Sequence, residues 1–196
     1  MIQERIKDGE AIGAVIAAIE RRPHHLRILR HVESLHLPDC WVGAGFVRNA
    51  IWDDLHEHPE STALADVDVV YFDKTEMSQA TDEHLQAALT FLAPDVPWSL
   101  KNQARMHLRN GDEPYESTAQ AIARWPETCT AVAVRLSNDH IEVLAPLGLL
   151  DLFDLVIRPT PHFMAKLEIY RSRVLAKQWS KRWPRLRFES LDQNLP

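Results

Sequence analysis

Two periods alternate along the apolar positions of the chain. Ile12, Val15, Ile16 and Ile19 recur at i, i+3, i+4 and i+7, which predicts an amphipathic helix ending before Pro23. Pro23 suits the first turn of a second helix carrying Ile28, Leu29, Val32 and Leu35, and Pro38-Asp39 breaks the chain after it. A short apolar run at residues 40–42 reads as a strand that ends on Gly43 and Gly45, and Val47, Ile51 and Leu55 restart the helical spacing. After a polar loop the period becomes two: Asp66, Asp68, Val70 and Phe72 point one way, Val67, Val69 and Tyr71 the other. Leu85, Ala88, Leu89 and Leu92 mark another helix, and residues 98–100 a strand that leads into the polar run KNQARMH.

The second half continues the alternation. Ser117-Thr118-Ala119-Gln120 fits a capping box for a short helix that stops at Trp125-Pro126. Residues 131–136 and 141–145 predict a hairpin with residues 137–140 as its turn, which sets Leu136 opposite Ile141 and Arg135 opposite Glu142. PLGLLDLFDL reads as a short helix. Pro159 and Pro161 precede a last long one, with Phe163, Leu167, Tyr170 and Val174 on one stripe and Pro184 at its end.

Composition narrows the class. With 196 residues and 45% hydrophobic content the chain can bury one good core, so a single domain is expected: N-terminal helices over 1–37, a catalytic core over 38–157, and a basic helix and tail over 158–196. The net charge of −6 argues against a wholesale nucleic-acid coat, yet residues 158–187 carry nine Lys and Arg against Glu168 alone. Cys40 and Cys129 are too few for a disulfide framework and form no CxxC pair. The opening MIQERIKDGE lacks the apolar core of a signal peptide, and no window approaches a membrane span, so a cytoplasmic protein is expected.

The chemistry concentrates in residues 41–73. A helix opening on a glycine turn presents free N–H groups that can receive phosphate. Asp66 and Asp68 then lie about 7 Å apart along one strand face, where like charges repel unless a cation neutralises them. Magnesium takes hard oxygen ligands and typically uses one or two carboxylates plus substrate phosphates. No third glycine completes a dinucleotide fingerprint and no GxxxxGK[ST] is present. His56 and His58 could join Asp66 around zinc, although a solvated loop explains them as well, and His24, His25, His31 and His36 read as exposed helix residues.

The GAGFVRN run followed by DVDV resembles the signature of the polymerase-beta nucleotidyltransferase superfamily. With IWDDLH, YFD, WSLKNQARMH, WPET and APLGLLDLFDL, the chain from about residue 41 to 183 is similar to a family of bacterial nucleotidyltransferase-like proteins of unassigned acceptor. The resemblance implies an α/β (α+β) fold with a small mixed sheet, helices on one face, and flanking N- and C-terminal helices. It implies a nucleoside triphosphate held by Gly43 and Gly45, and Mg2+ (or Mn2+) on Asp66 and Asp68. Arg48 stands where CCA-adding enzymes have a similar VRD run, which implies phosphate contact, and Asn49 replaces the Asp of that run. Asn102 and Arg105, in the KNQARMH run, are implied at the substrate. Two-metal chemistry usually wants a third carboxylate. Glu142, in an apolar-acid-apolar strand, is the candidate, with a simple cross-strand pair to Arg135 as the competing explanation.

The expected activity is metal-dependent transfer of a nucleoside monophosphate to an acceptor hydroxyl on a small molecule, nucleic acid or protein. A catalytically silent nucleotide- or partner-binding protein of the same fold, or a metal-dependent phosphohydrolase, would share these residues. Nothing in the sequence fixes the nucleotide, the acceptor or the oligomeric state.

Overall fold

The structure, a computed structural model, describes residues 8–189; the first residues of the MIQERIKDGE run and the tail over 190–196 lie outside the described residues. Helices α1 (Asp8–Glu20) and α2 (Pro23–Glu33) lead to strand β1 (Trp41–Gly43) and helix α3 (Gly45–Leu55). Strand β2 (Val67–Tyr71), helix α4 (Gln79–Leu92), strand β3 (Trp98–Asn102) and helices α5 (Gln103–Asn110) and α6 (Thr118–Ile122) follow. The hairpin β4 (Ala133–Ser137) and β5 (His140–Leu144), helix α7 (Leu150–Phe153), strand β6 (Val156–Ile157), helix α8 (Leu167–Lys177) and strand β7 (Arg187–Phe188) complete the chain.

Five strands form a mixed sheet in the order β3-β2-β1-β4-β5, with only β2 and β3 parallel, and β6 and β7 make a separate parallel pair. Period two in β2 sorts its faces. Val67, Val69 and Tyr71 join Val42, Leu100 and Val134 in the main core with Val15, Ile19, Ile28, Leu29 and Phe46 from the first three helices. On the opposite face Val70 and Trp41 pack with Ile122 and Ala133, so α6 and Trp125 cover part of the face that carries Asp68.

Several local expectations needed adjustment. In α1 the buried stripe is Ala11, Val15, Ala18 and Ile19, while Ile12 turns outward. His25 is not exposed: it packs on Phe46 at 4.4 Å, and burial pulls its pKa down to about 4. Ser137 and His140 pair, so the hairpin turn is only Asn138-Asp139, both with positive φ as a type I′ turn requires. The Leu136–Ile141 and Arg135–Glu142 register is as expected. The last helix is shorter than its apolar stripe: residues Pro161–Lys166 form a 3-10 turn, and α8 stops where Gln178 adopts φ 48°.

Candidate active site

The turn between β1 and α3 is built from unequal parts. A Cβ at Gly43 would sit 2.9 Å from Trp125 Cη2 and 2.9 Å from the Val132 carbonyl oxygen, so only glycine fits there. Gly45 has no such crowding, and the residue with positive φ is Ala44, at φ 54° and ψ −122°. Ala44 is the N-cap of α3 and offers no capping oxygen, which leaves the first N–H groups of the helix without a side-chain acceptor there.

Gly43 lies opposite Asp68, so the turn into α3 begins beside the acidic strand. Asp66 is exposed and Asp68 half-buried. Burial first, and then the charge of Asp66, push the Asp68 carboxyl up to about 6, against a hydrogen bond from Ser99 and the opposing charges of Arg173 and Lys177. Helix α8 thereby brings its cations to the carboxylates. A concave cavity of about 530 Å³ opens beside Asp68, floored by Ala44 and Val70 and walled by Lys101, Arg124, Lys166 and Arg173 among others.

Three expected site residues are committed elsewhere. Asn102 is fully buried at the N-cap of α5: its Oδ1 accepts from Ala104 and Asp73 N–H, and its Nδ2 donates to the Asp73 and Glu76 carbonyls. Arg105 pairs with buried Asp82, which also accepts from Tyr71 and from the Asn102 N–H. Such a shared carboxylate locks β3, α4 and α5 together. Glu142 accepts from Arg135 Nε at 2.9 Å. It lies three strands from Asp68 in the sheet order, about 14 Å by strand spacing, so it is not brought to the acidic pair.

Arg48, expected at phosphate, is only 6% exposed beneath the turn. It donates to Thr130 Oγ1 at 3.0 Å and Asn49 Oδ1 at 2.9 Å, and its guanidinium lies between the rings of Trp52 and Trp179, at 5.0 and 4.5 Å. Burial lowers its pKa. The histidine loop holds no zinc-like set: His56 Nδ1 meets the Trp52 carbonyl, and His58 meets Asp53, which also accepts from Thr62 and the Trp183 indole.

No third His, Cys, Asp or Glu joins Asp66 and Asp68 among the described residues. Two carboxylates of hard oxygen character, one of them destabilised by its neighbour's charge, nonetheless fit a divalent ion that shares its remaining positions with phosphate and water. Sequence reasoning missed Glu127, which is 0% exposed and accepts from Arg173 Nε at 2.7 Å. Its signal lay in the WPET run, whose tryptophan also seals Gly43.

The sheet thus sets a helix start with no side-chain cap beside a strand acidic pair, and comparison with known proteins gives the family. A family profile described as nucleotidyltransferase matches residues 30–188. An NMR structure described as revealing a CCA-adding enzyme head domain is 33% identical, with a TM-score of 0.81 over 95% of this chain and 97% of that one. The chain belongs to this nucleotidyltransferase family. Likeness of fold extends to the Thermotoga maritima CCA-adding enzyme complexed with tRNA_CCA, at 16% identity and TM-score 0.58 over 92% of this chain and 42% of that one. It extends also to a tRNA-processing enzyme, at 18% identity and TM-score 0.52 over 83% and 45%. The chain spans less than half of those two proteins. No curated protein matches the sequence. No helix among the described residues is long and apolar enough to cross a membrane.

Proposed function

We propose that this nucleotidyltransferase moves a nucleoside monophosphate from a nucleoside triphosphate to an acceptor hydroxyl. The observation that carries the reading is Asp68, a half-buried carboxyl beside Asp66 that lines a cavity rich in cations and lies opposite Gly43, where the chain turns into a helix start that lacks a side-chain cap. Asp66 and Asp68 would hold Mg2+ (or Mn2+), which supplies charge neutralisation for the phosphates and activation of the attacking oxygen. The first N–H groups of α3 and its positive dipole end favour the β- and γ-phosphates. Arg173 and Lys177, whose charges act on Asp68, add cationic potential on that side. The acceptor oxygen bonds to the α-phosphorus as the bridging P–O bond breaks; the electron pair leaves with pyrophosphate and the hydroxyl proton passes to solvent.

The test is incubation with each labelled nucleoside triphosphate, Mg2+ and a cell extract, with pyrophosphate and nucleotidylated products both followed. Asp66→Asn and Asp68→Asn should each abolish product formation while circular dichroism stays unchanged. Turnover within a few-fold of wild type in both variants would sink the reading, and release of nucleotide without a labelled acceptor would reassign the site to hydrolysis.

A further inference from the structure

The cations of the cavity fall into two sets separated along β2. The turn into α3 leaves β1 after Gly43, opposite Asp68, whereas Lys101 lies opposite Val70 toward the other end of the strand, and α5 departs just beyond it. Two residues separate those levels, about 7 Å of strand. That offset puts a triphosphate seated on α3 nearer to the acidic pair than to Lys101. Among the cavity's cations, Lys166 is matched by Asp112 and Arg173 by Glu127. Lys101, Arg109 and Arg124 also line the cavity and have no carboxylate at ion-pair distance among the described residues; Arg124 stacks on Tyr115 at 5.1 Å. Asp112 is taken by Lys166 and Asp68 is the other carboxylate of the lining, so three unmatched cations in one concavity favour a further anion between them. In-line displacement puts attacking and leaving oxygens on opposite sides of phosphorus. With pyrophosphate directed at α3, the attacking hydroxyl enters from the side of Val70 and Lys101.

We infer that Lys101, Arg109 and Arg124 form an anion subsite for the acceptor, and that the acceptor is a small hydroxyl-bearing phosphate ester. Its place as acceptor rests on the transfer reading above; the subsite itself rests on the unmatched cations. Smallness follows from the charge outside the cavity. Arg182, Arg185 and Arg187 are spent on Thr62 Oγ1 and on the Leu55 and Asp154 carbonyls. Those bonds tether the three guanidiniums without neutralising them; it is the net charge of −6 over the whole chain that disfavours the many phosphate contacts a nucleic-acid backbone needs.

Calorimetry on the full chain tests this with inorganic phosphate, glycerol 3-phosphate, an eight-nucleotide RNA, and Mg2+ with α,β-methylene ATP. Wild type should bind both phosphates, and Lys101→Gln/Arg109→Gln/Arg124→Gln should weaken them about tenfold or more, since charge-assisted hydrogen bonds are lost. The same variant should change nucleotide affinity less than about twofold, a margin small against a single charged contact. Asp68→Asn should do the reverse, losing nucleotide and keeping phosphate. If the triple variant misfolds by circular dichroism, Arg109→Gln/Arg124→Gln carries the same expectation. Equal losses of phosphate and nucleotide would hand these cations to the triphosphate, and unaltered phosphate binding would remove the subsite. RNA bound more tightly than glycerol 3-phosphate through the same residues would overturn the small acceptor. Phosphate binding without any nucleotide binding in wild type would overturn the acceptor role and the transfer reading, leaving only an anion subsite.

Discussion

Glu127 and Arg173, 46 positions apart, form a 2.7 Å ion pair in which the carboxylate is wholly buried and the arginine side chain is 34% exposed. The pair ties the Trp125-Pro126 wall of the cavity to α8. Because the two ends differ in burial, their deletions should differ in cost. Arg173→Met strands a charge in the interior and should destabilise by about 3 kcal/mol or more, whereas Glu127→Gln leaves a partly solvated guanidinium and should cost about 1 to 2 kcal/mol. Urea midpoints of the two variants measure the difference, and equal costs would contradict the asymmetry.

Stability should respond to pH through two groups of opposite sign. His25 has a folded pKa of about 4 against 6.5 when free, so between those values the unfolded chain binds more protons and stability rises with pH. Asp68 has a folded pKa of about 6 against 3.8, so the native protein binds more protons there and stability falls as pH rises. Each effect is about 3 kcal/mol across its window, and in metal-free wild type they nearly cancel. Asp68→Asn should therefore expose a rise in stability from pH 4 to 6.5 and exceed wild type at pH 7.5, and His25→Leu should expose a fall from pH 4 to 6. Urea titrations at pH 4.5 and 7.5 in EDTA separate the two, and flat profiles in both variants would refute both assignments.

What the sequence carried were features set by neighbours in the chain. The alternation of Val67, Asp68, Val69 and Val70 fixes the faces of β2, and the spacing around Asn138-Asp139 fixes the Arg135–Glu142 register. The fate of polar residues depends instead on partners far away. Asn102 and Arg105 look available in KNQARMH, yet Asp82, 20 and 23 positions earlier, claims the Asn102 N–H and the Arg105 guanidinium. Arg48 follows the glycine turn as a phosphate contact would, but Trp179 closes over it from the end of the chain. His25 reads as one exposed histidine among four because Phe46, which buries it, belongs to another helix.

The Glu142–Arg135 pair is a surface pair, with side chains 42% and 36% exposed. Arg135 also lies over the Trp41 ring at 4.3 Å. Glu142→Gln should cost no more than about 1 kcal/mol. It should leave nucleotide turnover within about twofold of wild type, since a group about 14 Å from Asp68 holds none of its ligands. A loss of turnover comparable to that of Asp68→Asn would restore Glu142 to the site.

Ala44 offers the last test, because its φ of 54° and ψ of −122° belong to a region that side chains avoid. The conformation costs on the order of 1 to 3 kcal/mol for an L-residue, and it persists because the turn is determined around it. The Ala44 N–H donates to the Val132 carbonyl at 3.0 Å, its carbonyl accepts from the Arg48 N–H at 3.0 Å, and Gly43 is wedged against Trp125. Glycine adopts this conformation freely, but it adds about 0.5 to 1 kcal/mol of backbone entropy to the unfolded chain. The net expectation for Ala44→Gly is a stabilisation of about 1 kcal/mol, read as a higher urea midpoint with an unchanged slope. The same substitution relaxes the turn that aims the first N–H groups of α3, so nucleotide affinity should fall modestly while stability rises. A variant that loses stability would show that the Ala44 methyl, 8% exposed, contributes more packing than its backbone strain removes.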